Sequence, residues 1–235
     1  MGSLQSTRDF EGLYAGLGTG MTTLLLSYHS DFALFTSADT YVPGSKKFHS
    51  SNAATMFDAQ IGYGKFITPN IYLGMKGIVD YTPIESFTTY PVNYIVGSGF
   101  SVIASSRTEV EIKPIYNIDA VLGYEIYPHL LAFVEGGVNF TDVSKTHKLS
   151  LQTLDLTTLN LNQKGGYASL NDYKTGGNAG IGVGYQLPHN WIISGEILYH
   201  YLGHSSDSIP GFFLPINTDS SSQLVTLLVN ASYLF

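Results

Sequence analysis

A histidine and a serine two residues apart are the residues of this chain best placed for covalent chemistry. His204 and Ser206 stand in the segment His200-Tyr-Leu-Gly-His204-Ser205-Ser206-Asp207. A serine hydroxyl becomes a nucleophile when a neighbouring base takes its proton, and a third group normally orients that base. Asp207 is the nearest carboxylate, but it falls on the opposite face if the segment is a strand. The orienting carboxylate is therefore not identifiable from the sequence, and the pair alone does not establish catalysis.

The seven histidines do not have the spacing of a known metal site. His200 and His204 would be neighbours on a helix. On a strand they would lie about 13 Å apart, too far to bind one ion together. The chain has no cysteine, and so offers neither thiol ligands nor disulfides. We expect no metal and no cofactor.

Charged and amide side chains that alternate with apolar residues form a second set of candidates. Lys76, Glu135 and Glu196 each follow a short turn by five or six residues, so we expect Lys76 to pair with one of the two glutamates. We expect the whole set to point to the inside of the fold. It comprises Asp58, Gln60, Lys76, Asp80, Lys113, Asn117, Asp119, Glu125, Glu135, Asn139, Glu196, His200 and Asn230.

Three short turns organise the segments that carry these side chains. The turns are Thr68-Pro69-Asn70, Tyr127-Pro128-His129 and Pro188-His189-Asn190. Proline presets φ, and asparagine tolerates the left-handed conformation. The same dipeptide precedes each turn and recurs 61 residues apart, as Gly62-Tyr63, Gly123-Tyr124 and Gly184-Tyr185. The spacing indicates a repeated hairpin unit.

Residues of alternating polarity flank every turn and predict six strands. The segment Leu13 to Thr22 and the C-terminal residues add two more. The intervening segments are long and polar, at about 28–54, 81–110, 141–174 and 203–222. Three short turns and four long loops predict an all-β fold, an eight-stranded antiparallel up-and-down barrel with both termini at the short-turn end.

Composition indicates that this barrel crosses a membrane. Charged residues make up 12% of the chain, about half of the ~25% usual in soluble domains. The longest apolar run is five residues, Leu130 to Val134, whereas a membrane helix needs ~20. In lipid, only helices and closed barrels satisfy the backbone. A net charge of −7 argues against nucleic-acid binding. The alternative is a soluble β-sandwich with a tyrosine-rich surface.

The C-terminal strand has one apolar face that runs to the last residue. That face consists of Val225, Leu227, Val229, Ala231, Tyr233 and Phe235. The pattern resembles the C-terminal strand that the barrel-assembly machinery of Gram-negative bacteria recognises. Aromatic residues also cluster beside the short turns and predict a periplasmic girdle. These are Tyr63, Tyr124, Tyr127, Tyr185, Trp191, Tyr233 and Phe235.

The chain resembles the small eight-stranded outer-membrane proteins, a group that includes the OmpA transmembrane domain, OmpX, OmpW and the opacity-type surface antigens. The resemblance rests on Tyr233-Leu234-Phe235, the repeated Gly-Tyr and the first strand, Tyr14-Ala-Gly-Leu-Gly-Thr-Gly20. It implies residence in the bacterial outer membrane, contact with lipid and lipopolysaccharide, and a removed signal peptide. We expect residues 1–9 to be a periplasmic segment and residues 10–235 to be one barrel domain with four extracellular loops.

The same resemblance implies a non-enzymatic surface scaffold or antigen whose loops recognise a host or extracellular ligand. A narrow pore, or a conduit for apolar ligands as OmpW is thought to be, is the alternative. A third possibility is a lipid A-modifying enzyme, because His204 and Ser206 resemble the catalytic pair of the lipid A deacylases. The asparagine that follows in that family is absent here. The polar interior is correspondingly either a plug or a narrow cation path.

Two local features leave alternatives open. The leucine-rich segment 147–170 is a protruding hairpin, a cap over the barrel or an extra membrane-spanning pair. Inward-pointing glycines either relieve crowding or leave room for water. They are Gly16, Gly18, Gly20, Gly180, Gly182 and Gly184.

Overall fold

The computed structural model describes residues 9–37, 40–96, 100–155, 161–209 and 216–235, which form strands joined by short connections. Within these residues, no helix is long and apolar enough to cross a membrane. The strands are β1 (Gly12–Ser37), β2 (Thr40–Phe66), β3 (Ile71–Tyr81), β4 (Glu85–Val96), β5 (Phe100–Ile112), β6 (Ile115–Tyr127), β7 (Leu130–Asp155), β8 (Leu161–Gln186), β9 (Trp191–Ile209) and β10 (Ile216–Leu234).

Eight of these strands close into an antiparallel ring, which confirms the predicted barrel. Their order is β1-β2-β3-β6-β7-β8-β9-β10, and β10 pairs with β1. The stagger of the ring follows from its pairing. We follow cross-strand partners around the ring, from Gly62 on β2 to Lys76 on β3 and onward through each strand. The last partner is Asn52, again on β2 and ten residues from the start. Such a stagger tilts the strands and leaves a lumen that side chains can fill.

The remaining two strands prolong members of the ring. β4 follows β3 after residues 82–84, and β5 precedes β6 across residues 113–114. Each break contains a proline, Pro83 or Pro114, which has no N–H to donate to the ladder. Beyond the breaks β4 and β5 form a hairpin, and β5 takes the place of β6 beside β7. The sequence predicted eight continuous strands, whereas prolines divide two of them.

The four predicted long loops are largely paired strand, so that interpretation was wrong. β1 and β2 stay paired to Ser37 and Thr40, and β7 and β8 to Leu154 and Leu161. Residues 147–155 and 161–170 therefore continue the paired strands β7 and β8 and are not an extra membrane-spanning pair; residues 156–160 lie outside the described part of the chain. Polarity misled the prediction, because the outer face of strands beyond a bilayer meets water and the buried inner face here is also largely polar, so the apolar alternation is lost.

Large apolar side chains cover the outside of the ring. Leu17, Met21, Ile61, Met75 and Leu227 are each more than half exposed. Two rings of outward aromatic residues bound this band. The first lies at the short-turn end and holds Tyr63, Tyr124, Tyr127, Tyr185, Trp191, Tyr233 and Phe235; the second lies toward the long hairpins and holds Phe57, Tyr81, Tyr116, Tyr173, Tyr199 and Tyr201. An apolar band between aromatic girdles is the surface of a transmembrane β-barrel. We call the strand segments beyond the second ring the extension.

Two apolar layers close the lumen. At the short-turn end, Phe10, Phe66, Tyr72, Val121 and Leu131 pack together. Toward the long hairpins, a second layer forms from two clusters. It contains Met56, Leu198 and Leu228, followed by Leu24, Ile84, Ile112, Ile115, Leu202 and Leu224. Polar side chains occupy the space between the layers.

Candidate functional site in the barrel lumen

Lys76 is the centre of the polar lumen. Its Nζ lies 2.5 Å from Glu135 Oε2 and 2.9 Å from Glu196 Oε2, and all three side chains are buried. β3, β7 and β9 each contribute one member. The sequence predicted a pairing with one of the two glutamates, and the structure brings both to the lysine. The Phe133 ring lies 5.7 Å from the same Nζ and adds a cation–π contact.

Hydrogen bonds fix the orientation of Glu196. Its Oε1 accepts a hydrogen bond from Ser194 Oγ at 2.9 Å and another from Asn230 Nδ2 at 3.0 Å. Ser194 and Asn230 thus hold one carboxylate oxygen of Glu196, while the other oxygen contacts Lys76. Neighbouring amides hold other acids, since Asn178 Nδ2 donates to both oxygens of Asp119. The interior thus contains several hydrogen-bonded groups of side chains.

The structure buries most of the predicted lumen residues but not all of them. Those buried inside the ring are Asp58, Gln60, Lys76, Asp80, Asn117, Asp119, Glu135, Asn139, Glu196, His200 and Asn230. Glu125 is only half-buried, beside a register shift at the end of β6. Lys113 is exposed and pairs with Glu111 at 3.2 Å. At the break at Pro114 the inward-pointing positions change from even to odd residue numbers, so Lys113 faces outward. A prediction that assumes unbroken alternation along one strand cannot include this change.

The inward glycines relieve crowding. A Cβ on Gly16 would lie 2.1 Å from Ser232 Oγ, and one on Gly182 would lie 2.4 Å from the Phe133 ring. Neighbouring atoms therefore occupy the space that a larger residue would need at Gly16, Gly18, Gly20, Gly180 and Gly182, whereas a Cβ on Gly184 would make only ordinary contacts, at 3.6 Å or more. Of the two interpretations of these glycines, the packing supports the first.

The N-terminal segment closes the short-turn end. Phe10 is buried in the apolar cluster there, with a φ of 64° that non-glycine residues rarely adopt. Its N–H donates to Gln186 Oε1 at 2.6 Å, and Glu11 Oε1 accepts the N–H of Phe66 at 2.9 Å. These bonds hold Phe10 across the mouth, so the lumen is closed on this side.

Sequence reasoning missed a second polar cluster, which lies inside the extension. Lys145 is fully buried, and its Nζ donates to Ser205 Oγ at 2.7 Å and to Ser220 Oγ at 2.8 Å. Lys174 Nζ lies nearby, 2.7 Å from Asp172 Oδ2. A register shift beside Gly203, whose φ is 89°, turns Ser205 inward. Only the glycine hinted at such a bulge in the sequence.

Two ion pairs lie on the outer wall of the extension, one between β5 and β7 and one within β5. Lys148 Nζ lies 2.9 Å from both oxygens of Glu109, and Arg107 Nε lies 3.0 Å from Oε1. The hydrogen bond from Lys148 lowers the pKa of the Glu109 carboxyl below its usual value, and the charge of Arg107 acts in the same direction. The pair therefore persists at neutral pH and is lost as the pH falls through the lowered pKa.

The histidine–serine pair acquires a carboxylate but not the arrangement of a catalytic triad. Ser206 Oγ donates to Asp219 Oδ1 at 2.5 Å. His204 Nε2 lies 3.4 Å from the same Oγ and 3.8 Å from the same Oδ1. A triad uses one ring nitrogen for the serine and the other for the carboxylate. Here both groups face one nitrogen, and the serine proton already points to Asp219. Asp207, considered from the sequence, has no described side chain.

Within the described residues, no group of three or more His, Cys, Asp or Glu side chains is arranged to hold a metal ion. The geometry of the lumen is thus that of an ion-paired polar core between two apolar layers. A core of this kind favours a single strand register.

No protein-family model matches the sequence, and neither does any curated protein. Solved structures are similar in fold. The outer membrane protein OprG from Pseudomonas aeruginosa is 10% identical, with 97% of this chain and 99% of that one covered and a TM-score of 0.49. AlkL, an outer membrane protein studied in lipid bilayers, is 12% identical, with 100% and 95% covered and a TM-score of 0.44.

The outer membrane protease OmpT from Escherichia coli is 9% identical, with 96% and 97% covered and a TM-score of 0.33. At these identities only the fold is comparable, and the strand pairing of the chain itself defines that fold. All three of these solved structures are of outer membrane proteins.

Proposed function

We propose that the chain is a non-enzymatic outer-membrane barrel of a Gram-negative bacterium, and that its extension is the recognition surface. The observation that supports the proposal is the arrangement of the barrel, in which a lumen filled between two apolar layers lies below the long paired strands of the extension. Between the apolar layers, Lys76 bridges two glutamates and occupies the middle of the lumen. Beyond the second girdle, β1, β2, β7 and β8 continue as long hairpins. Rigid strands that project from a membrane suit contact with an extracellular ligand or lipopolysaccharide.

The proposal includes the biogenesis of an outer-membrane protein. A signal peptide would have been removed from the mature chain, and the barrel-assembly machinery would recognise the apolar face of β10. That face points outward at Val225, Leu227, Val229, Ala231, Tyr233 and Phe235. An outward apolar face is accessible to an assembly partner before the barrel closes.

Surface labelling on intact cells tests the topology. The chain has no cysteine, so single substitutions give clean signals. We expect a membrane-impermeant maleimide to label Asn171→Cys, in the exposed part of the extension, on intact cells. Pro188→Cys, at an exposed short turn, should label only after the outer membrane is permeabilised. Equal labelling of both positions on intact cells would contradict the orientation.

Conductance tests the closure of the lumen. We expect the refolded protein to give no steady channels in a planar lipid bilayer, because an apolar layer and the Lys76 network stand in series. Circular dichroism of the same sample must show a folded barrel. Steady channels that shift on Glu135→Ala or Glu196→Ala would contradict the plug and support a cation path.

A specific observation also favours a second candidate, a conduit for apolar ligands. Within the described residues, β2 pairs with β3 only over Phe57–Phe66, and β4 pairs only with β5. This leaves a seam between β2 and β4 above the Phe57–Tyr81 pair. Side-chain bonds bridge its base, where Asn52 Nδ2 donates to the Glu85 carbonyl at 2.5 Å and Thr82 Oγ1 to the Thr55 carbonyl at 3.3 Å.

Behind the seam lies the apolar cluster that contains Leu24, Ile84 and Leu224. An apolar molecule could pass from the extension through the seam to the outer leaflet without meeting the charged lumen. In vesicles, we expect a bifunctional maleimide on Asn52→Cys/Glu85→Cys to slow uptake of a fluorescent fatty acid. A monofunctional maleimide on the same variant is the matched control. Equal uptake after both reagents would remove the conduit from consideration.

A further inference from the structure

Two buried oxygen atoms face each other beside Gly18. Asp58 on β2 and Asn230 on β10 flank this glycine, and their side chains are buried. Their Oδ1 atoms lie 1.9 and 1.6 Å from the point that a Gly18 Cβ would occupy, and so at most 3.5 Å from each other. Neither Oδ1 has a hydrogen-bond partner in the described structure. Because Asn230 Nδ2 donates to Glu196, the amide oxygen is the atom that faces Asp58.

The cluster extends to the adjacent strands. Asp80 is the cross-strand partner of Asp58 and is fully buried. Its Oδ2 accepts a hydrogen bond from Asn117 Nδ2 at 2.6 Å, whereas its Oδ1 and the Asn117 Oδ1 have no partner within the described residues. Four acceptor oxygens thus lie along an arc that runs from Asn230 through Asp58 and Asp80 to Asn117. Acceptors without donors are costly to bury.

The charge of the lumen is also uncompensated. Between the two apolar layers, the described residues include five carboxylates: Asp58, Asp80, Asp119, Glu135 and Glu196. Lys76 is the one lysine or arginine there, and it already contacts Glu135 and Glu196. Carboxylates would outnumber cations even with His200 protonated. An unpaired buried charge is strongly destabilising, so each of these aspartates needs either a counter-charge or a proton.

We propose that the arc of Asp58, Asp80, Asn117 and Asn230 binds a hard cation of the calcium type inside the barrel. The four oxygens without hydrogen-bond partners in the described structure belong to carboxylates or amides, the ligands that such cations prefer. Oxygens that bind one calcium ion at 2.3–2.6 Å lie about 3.5 Å from each other when they are neighbours in the shell. The upper limit of 3.5 Å on the separation across Gly18 is compatible with that geometry, and a divalent ion would neutralise both aspartates. This inference goes beyond the proposed surface role.

Refolding with and without calcium tests the site. The protein would be refolded into phosphatidylcholine vesicles, either in excess chelator or in calcium chloride at the same ionic strength. Neutral lipid limits calcium binding by the membrane itself. At a hundredfold excess of calcium over its dissociation constant, we expect the melting temperature to rise by roughly 5–10 °C. After dialysis, atomic emission should find about one calcium ion per chain.

Asp58→Asn should abolish both the thermal shift and the bound calcium, while Glu109→Gln on the exposed wall should leave both unchanged. If Asp58→Asn does not fold, Asp80→Asn and the wild-type dialysis decide the matter. A wild-type protein that retains no calcium overturns the proposal. So does a folded Asp58→Asn or Asp80→Asn variant that binds as much calcium as the wild type. Infrared spectra of the calcium-treated wild type test the alternative that a proton neutralises Asp58. A protonated-carboxyl band that is present in the wild type and absent in Asp58→Asn would show that Asp58 carries a proton, and would also overturn the proposal.

Discussion

Replacing Lys76 with methionine is expected to lower the free energy of unfolding by about 3–5 kcal/mol, the usual cost of breaking a buried ion pair from one side. Lys76 Nζ is the cation that contacts both Glu135 and Glu196. Methionine preserves much of the side-chain volume, so the loss reflects the two carboxylates left without a counter-charge. Urea unfolding of the vesicle-inserted protein, followed by intrinsic fluorescence, would measure it.

Two further variants separate charge from packing. Neutralising both acids together with the lysine, in Lys76→Met/Glu135→Gln/Glu196→Gln, should restore most of the lost stability because no charge is left unpaired. Lys148→Met removes an ion pair on the exposed wall of the extension and should change stability little. If Lys76→Met unfolds at the same urea concentration as the wild type, the buried network does not stabilise the barrel.

Leu227→Arg is expected to destabilise the vesicle-inserted protein by about 2–4 kcal/mol, the cost of an arginine near the middle of a bilayer. Leu227 is 58% exposed on the outer face of β10. It lies about midway between Tyr233, in the short-turn girdle, and Gln223, which pairs with Tyr201 of the second girdle. The change fills no lumen space and breaks no hydrogen bond of the side chain, so the loss comes from the lipid environment.

Asn171→Arg is the matched control for that substitution. Asn171 is exposed on β8 in the extension, where arginine meets water and should be nearly neutral. Unfolding of both variants in urea gives the comparison. Equal stability of Leu227→Arg and Asn171→Arg would mean that the apolar band faces water, as the soluble-sandwich alternative requires.

The short-turn half of this fold could be predicted because lipid imposes a two-residue period on it. The outward face is apolar at alternate positions around the ring, so Tyr63, Lys76 and Glu196 could each be assigned to a face and a depth. The Tyr233–Phe235 end of β10 was equally informative, since an apolar outward face continues to the last residue.

The extension could not be predicted in the same way, because its outer face meets water and its buried inner face is largely polar, which removes the apolar period. Phase changes were a second obstacle. The break at Pro114 turned Lys113 outward, and the bulge beside Gly203 turned Ser205 inward to Lys145. Asp219, thirteen residues after Ser206 in the chain, reaches that serine through cross-strand pairing alone. Such contacts depend on register, which neither composition nor spacing specifies.

Lipid contact by alternate residues of β10 would test the transmembrane barrel most directly. Nitroxide labels on single cysteines at positions 224 to 231, in the vesicle-inserted protein, report collisions with oxygen, which concentrates in lipid, and with a water-soluble nickel complex. We expect oxygen collisions to peak at Val225, Leu227, Val229 and Ala231 and to fall at the positions between them, with little access for nickel at the peaks. Loss of the two-residue period, or free access of nickel at Leu227 and Val229, would contradict a membrane-spanning barrel.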